Sequence, residues 1–233
     1  MIEVFGRKIT LEWKRGALYE NAYLWESRVF GKGAAEIAAR CPAPTERGMP
    51  RLFVALDLPP DTREEIARIC RGLPDVHWTD SDDLHLTLRF IGEVDTATFV
   101  EIGEALASIT APPFDISLKG IGCFPKSGPL RHLWTGVEGG EELARLKRRV
   151  DRAINDVGVE PEARRFTPHV TIARFRQSPP EGRMASWIGQ RNLFQSRPFP
   201  VSSFNLVSSH LRSEGSDHVV EAEYDFVRGI MTR

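Results

Sequence analysis

Two short segments constrain this chain more than anything else in it: Leu84-His85-Leu86-Thr87-Leu88-Arg89-Phe90 and Pro168-His169-Val170-Thr171-Ile172-Ala173-Arg174-Phe175. Side chains on an extended strand alternate between two faces. In the first segment Leu84, Leu86, Leu88 and Phe90 therefore share one face, and His85, Thr87 and Arg89 share the other. In the second, Val170 and Ile172 oppose His169 and Thr171. An apolar strand face has to lie on a core, so both segments are predicted to be half-buried strands with histidine and threonine on the free side. With six histidines and twelve threonines in 233 residues, chance supplies roughly 0.3 His-x-Thr triplets. Two in matching surroundings point to a shared purpose.

The surroundings repeat as well. A strand at 51–57, closed by Pro59-Pro60, leads to a helix near Asp61–Arg71, with Asp61 as N-cap, and then to a strand at 84–91. A strand at 131–137 leads in the same order to a helix near Glu141–Val157 and a strand at 168–175. A helix near Thr96–Ser108, a strand near Phe114–Leu118 and C-terminal strands near Ser202–Ser208 and Val219–Val227 complete the reading. The expected class is α+β: two pseudo-symmetric lobes, each an antiparallel sheet with helices packed outside, and a groove between them. Residues 1–48 differ, with weak periodicity, Gly31-Lys32-Gly33, Pro42-Ala43-Pro44 and a polar close at Thr45-Glu46-Arg47-Gly48. They read as an N-terminal extension, either an over-called start ahead of a native Met49 or a short helical appendage around Ala17–Phe30. Residues 49–233 form the bilobal domain.

Charge and cysteine content narrow the partners. A net charge of −1 excludes attraction to a polyanion by the whole molecule, so any nucleic-acid contact has to be local. Cys41, Cys70 and Cys123 are odd in number and scattered, which argues against a disulfide framework or zinc cluster and for a reducing cytoplasm. No run approaches the roughly 20 apolar residues of a membrane span. A monomer without membrane attachment is expected.

In-line displacement at phosphorus needs a base for the entering group and an acid for the leaving oxygen. Two imidazoles facing each other across a cleft supply both, because an ordinary pKa of about 6.5 lets each change state near neutral pH. Threonine hydroxyls two residues along can hold the non-bridging phosphate oxygens. Neither metal nor cofactor is called for. H-x-x-x-H and H-x-E patterns are missing, which disfavours a metallohydrolase.

His85-Leu-Thr87-Leu and His169-Val-Thr171-Ile resemble the paired motifs of the two-histidine phosphoesterase superfamily. Arg51-Leu-Phe-Val-Ala-Leu, His85 through Gly92, Gly122-Cys-Phe-Pro125, Leu133-Trp-Thr-Gly-Val137 and Phe166 through Arg174 are similar to one branch of it. That branch is the RNA 2′,3′-cyclic phosphodiesterases, first named for 2′–5′ RNA ligase activity. The likeness spans about residues 49–227. It implies hydrolysis of a 2′,3′-cyclic phosphate on RNA ends or cyclic nucleotides to a 2′-phosphomonoester. On this chain it implies His85 as proton donor to O3′ and His169 as acceptor from water, with the roles exchangeable. Thr87, Thr171 and Arg174 would bind phosphate. Ligation at the same site, or a binding module without turnover, are the competing readings.

Arg174 raises a difficulty of parity. Its odd offset from His169 aims it at the wrong face of a regular strand, so the strand has to end or twist there. Arg89 has the right parity and is a further phosphate-binding candidate. Ser209-His210-Leu211 stands where relatives often carry Ser-Arg-Leu, and His210 is expected at a strand end. Trp78, beside His77, is a candidate for base stacking. Arg131 and His132 open a strand near the rim. Lys147-Arg148-Arg149 is expected on the exposed side of a helix whose Leu143, Leu146, Val150 and Ile154 recur at helical spacing. Phe124, Phe166 and Phe175 are expected in core or groove wall.

Overall fold

A computed structural model describes residues 2–4, 7–9, 51–125, 129–212 and 215–226. The N-terminal part contributes a short antiparallel ladder, β1 (Ile2–Val4) against β2 (Arg7–Ile9). The helix expected around Ala17–Phe30 lies outside the described residues. From Arg51 the order is β3 (Arg51–Asp57), α1 (Pro60–Ile69), β4 (His77–Trp78), β5 (His85–Gly92), α2 (Thr96–Ala107), β6 (Phe114–Phe124) and β7 (His132–Glu138). It continues with α3 (Gly140–Asp156), β8 (His169–Arg174), α4 (Glu181–Arg191), β9 (Phe199–Val201), β10 (Ser203–Arg212) and β11 (Gly215–Asp225).

The class is α+β, as expected, but the two lobes are halves of one sheet. Nine strands run in the order β11-β10-β3-β5-β8-β7-β6-β9, with β4 beside β8, and every pairing is antiparallel. The halves meet where Leu86 of β5 pairs with Val170 of β8. Outward from that seam, β3, β10 and β11 on one side correspond to β7, β6 and β9 on the other.

Helices cover one face of this sheet. Leu143, Leu146, Val150 and Ile154 form a buried stripe on α3, which lies across β5 and β6, while α2 packs on α3. One hydrophobic cluster runs through both halves, from Leu52, Val54 and Leu56 of β3 to Leu133 of β7 and Val170 and Ile172 of β8. A second small cluster, Phe53, Ala55 and Val207, lies apart from it on the opposite side of β3 and β10. The halves are also tied at their backs: Trp187 and Arg191 of α4 donate to the carbonyls of Arg71 and Ile69, at 2.8 and 3.1 Å. The Ile69 carbonyl also accepts from Arg71 N–H at 2.9 Å, so α4 adds to the bonding that closes the end of α1.

Several elements depart from expectation. Helix α1 starts at Pro60 behind Pro59, and Asp61 sits in its first turn without capping it; proline's fixed φ suits that position. Strand β6 runs on to Phe124 because Gly120, at φ 69°, absorbs an extra residue and pairing with β7 continues past it. Helix α4 and strand β9 are additions: α4 follows two prolines and buries only Met184 and Trp187, too sparse a stripe to announce a helix. Lys147 is buried, contrary to expectation, with Nζ 2.5 Å from Asp151 and lying over the Phe166 ring. Its aliphatic stem packs while the charge finds partners. Arg148 and Arg149 are exposed, as expected. Among the described residues no helix is long and apolar enough to cross a membrane.

Candidate active site

Leu86 and Val170, paired at the seam, are fully buried toward the helices. Their neighbours His85, Thr87, His169 and Thr171 are half-buried and project to the other face, where the curled sheet forms a groove. Extending the antiparallel register from that pair sets the two histidines diagonally across the seam, with Cα atoms about 7–8 Å apart. Their rings thus rise on either side of one gap, and each is within electrostatic reach of the other.

Both rings are held alike. Nδ1 of His85 donates to the carbonyl of Asp83 at 2.7 Å, and Nδ1 of His169 donates to that of Thr167 at 2.6 Å. A carbonyl only accepts, so the hydrogen of each neutral ring sits on Nδ1 and Nε2 is left bare toward the groove. Ring contacts complete the grip. Phe53 stacks on His85 with centroids 5.0 Å apart, and Trp134 lies 5.9 Å from His169. Trp134 needs Gly122 opposite it, since a Cβ there would come within 2.2 Å of the indole. The hydroxyls of Thr87 and Thr171 have no partner within the described protein and are free for a ligand.

The parity difficulty is resolved by two matched bulges. On β8, pairing with β7 shifts register so that Ile172 and Ala173 together face Leu133, and all three are fully buried. The extra residue turns Arg174 onto the groove face beside its partner His132. Arg174 is exposed and makes no ion pair within the described protein. On β5 the same shift occurs three residues after the histidine: Leu88 and Arg89 together oppose Val54. Arg89 is thereby carried away from the groove, and the expectation that it binds phosphate is corrected. It is 2% exposed, donates to Glu160 O at 2.5 Å and Asn155 Oδ1 at 3.2 Å, and lies 3.5 Å from Asp151. Its place on the groove face falls to Phe90, which is 62% exposed.

Burial first, then the positive charges of His218, Arg174 and His169, push His85 down to about 4, against a partial offset from the Asp83 carbonyl. His132 is also lowered, by burial and by Arg174. Sequence reasoning missed His218 on β11, whose ring meets His85 edge-on at 5.2 Å. Nothing near it repeats the His-x-Thr signal, and only the long C-terminal hairpin brings it here. The other candidates fall outside the gap. Trp78 packs against Trp187, His210 bonds Ser208 on the core side of β10, Phe175 is core, and Phe124 forms groove wall against His169.

The family model described as the 2′-5′ RNA ligase superfamily matches residues 52–212. The RNA 2′,3′-cyclic phosphodiesterase of Aeropyrum pernix is 37% identical over 154 residues, covering 66% of this chain and 86% of the relative. That of Archaeoglobus fulgidus is 36% identical over 168 residues, covering 71% and 94%. Among solved structures, E. coli LigT complexed with 3′-AMP superposes with a TM-score of 0.64 at 24% identity, over 77% of this chain and 99% of that one. At that identity the likeness speaks for the fold.

Proposed function

The chain belongs to the 2′-5′ RNA ligase superfamily, and from that premise we propose that it opens 2′,3′-cyclic phosphate ends of RNA to 2′-phosphomonoesters by proton transfer through His85 and His169. The observation that carries the reading is the pair of bare Nε2 atoms across one gap, each backed by a Nδ1 bond to the carbonyl two residues earlier. Cyclic phosphodiesterase activity is also what the curated relatives are named for.

In this reading the phosphate sits over the seam, its non-bridging oxygens taking hydrogen bonds from Thr87 and Thr171 and its charge facing Arg174. Water attacks phosphorus opposite O3′ and gives its proton to His169 Nε2. The P–O3′ bond breaks, and O3′ takes a proton from His85 Nε2. A 2′-phosphate and a free 3′-hydroxyl result, with water's two hydrogens accounted for once the rings exchange protons with solvent. The exposed ring of Phe90 offers a stacking face to the nucleoside. His85 is neutral in the unliganded protein, so its donor role requires the bound phosphate to raise it; negative charge beside an imidazole does so.

The test is an RNA carrying a defined 2′,3′-cyclic end. A 2′-phosphorylated product is expected, at an unchanged rate in EDTA. A cyclic end that survives long incubation overturns the reading.

A further inference from the structure

His85 and His169 each meet a second ring edge-on, and the geometry is the same in both halves: centroids 5.2 Å apart, planes at 79°. For His169 that ring is Phe124, which carries no polar group. For His85 it is His218, whose Nδ1 lies 3.2 Å from Asp83 Oδ1. Asp83 thus touches both imidazoles, taking the His85 Nδ1 hydrogen on its main-chain oxygen and setting its carboxylate within ion-pair distance of His218 Nδ1, a buried nitrogen that has no other partner among the described residues. The equivalent of Asp83 in the other half is Thr167, which has no carboxylate to offer.

The support is itself fixed. Asp83 ends the turn Ser81–Asp83, and Arg63 of α1 ties that turn down by bonding Asp82 Oδ1 at 3.2 Å and Leu58 O at 2.8 Å. His218 also lies edge-on to Phe53, at 5.3 Å, the ring on which His85 stacks. With Nδ1 turned to Asp83, its Nε2 has no partner within the described protein.

We propose that His218, oriented by Asp83, is a positioning residue of the reaction, acting through His85 by fixing that ring and governing when it carries its proton. The inference rests on the functional reading above. His218 is a titratable ring, held below the usual histidine range by burial against the pull of Asp83, where the other half has a ring that cannot titrate, so the two halves of a symmetric frame become unequal proton carriers. The charged and titratable groups facing His85 are His218 of β11, Asp83 of the preceding turn, Asp57 across the ladder on β3, and His169 and Arg174 of β8. Asp57 is engaged by Asn205, which donates to it at 2.9 Å. His218 is the member of this set in ring contact with His85, and a charge there opposes protonation of its neighbour.

The decisive variant is His218→Phe, which installs the side chain of the other half and keeps the wall packed. NMR titration of the free protein reads His85 directly, without substrate. The His85 midpoint should move upward by about half a pH unit or more, as expected when a nearby like charge is removed. On a cyclic-ended RNA, kcat should fall roughly tenfold with KM within about twofold, the signature of lost positioning. Asp83→Asn, which keeps the main-chain bond to His85, should reproduce the kcat loss and guards against misfolding of the first variant. A His218→Phe protein with an unmoved His85 midpoint and wild-type kcat overturns the inference and makes His218 mere packing. Wild-type protein that fails to open the RNA while the midpoint still shifts would sink the functional reading and leave the coupling of the two rings standing.

Discussion

The half of the groove built on β5 and the half built on β8 share a backbone plan and differ in what hangs on it. In each, a histidine is locked through Nδ1 to the carbonyl two residues before it, a threonine follows on the same face, and a bulge three residues after the histidine turns the strand over. Beyond the bulge the halves part. On β8 the groove face continues into Arg174, with His132 beside it and Phe124 next on β6. On β5 the same cross-strand row reads Phe90, Phe53 and Val207. In the proposed reaction the shared positions would serve the symmetric part of the chemistry, one proton in and one proton out. The unshared ones give the groove a cationic end and an aromatic end, which is what an asymmetric ligand with phosphate at one side and a base at the other requires.

Five substitutions break or sharpen that contrast. Removing either imidazole, by His85→Ala or His169→Ala, should lower kcat by on the order of 10²–10⁴-fold with little change in KM, whichever half is touched. Wild-type turnover by either variant on a cyclic-ended RNA would end the claim of symmetry. At the first unshared position, Arg174→Ala should cost on the order of 100-fold in kcat/KM, since an unpaired cation facing a developing negative charge is lost. Its mirror, Phe90→Ala, should act mainly on KM, raising it roughly tenfold through lost stacking. If Arg174→Ala and Phe90→Ala gave the same kinetic pattern, the division into anionic and nucleoside ends would be wrong. The smallest effect on turnover is expected from Arg89→Ala. It strips Glu160 O and Asn155 Oδ1 of a buried donor while Asp151 keeps its pairing with Lys147, and should lower unfolding stability by about 1–3 kcal/mol, while kcat/KM at a permissive temperature stays near wild type.

Acid should expose the halves in a different way. Because burial and neighbouring charges depress His85 from 6.5 to about 4, the unfolded chain binds this proton more readily than the folded one. Stability from this site is therefore full above pH 6.5 and declines as pH falls through the interval to about 4. Denaturant midpoints measured across that interval should show a slope that His85→Phe flattens. An identical slope in both proteins would place the proton elsewhere.

Much of the site was legible because its rule is local. Period-two alternation sets which side chains share a face over three or four residues, and His85 with Thr87, and His169 with Thr171, needed nothing more. The repeat of strand, helix and strand was legible for the same reason, since Leu143, Leu146, Val150 and Ile154 declare their helix within their own segment. Helix α4 was not, because it buries only Met184 and Trp187 and is otherwise anchored by the bonds of Trp187 and Arg191 to the distant carbonyls of Arg71 and Ile69.

By itself, then, the sequence determined that two strands would each present histidine and threonine away from a core, and that Arg174 could serve only where regularity failed. Tertiary structure alone decided where it failed. A bulge is a mismatch between two strands, so Leu88 and Ile172 become extra residues only against β3 and β7, and that pairing sends Arg89 inward and Arg174 outward. His218 likewise reaches His85 through a C-terminal hairpin folded back along β3, a proximity no spacing in the chain encodes.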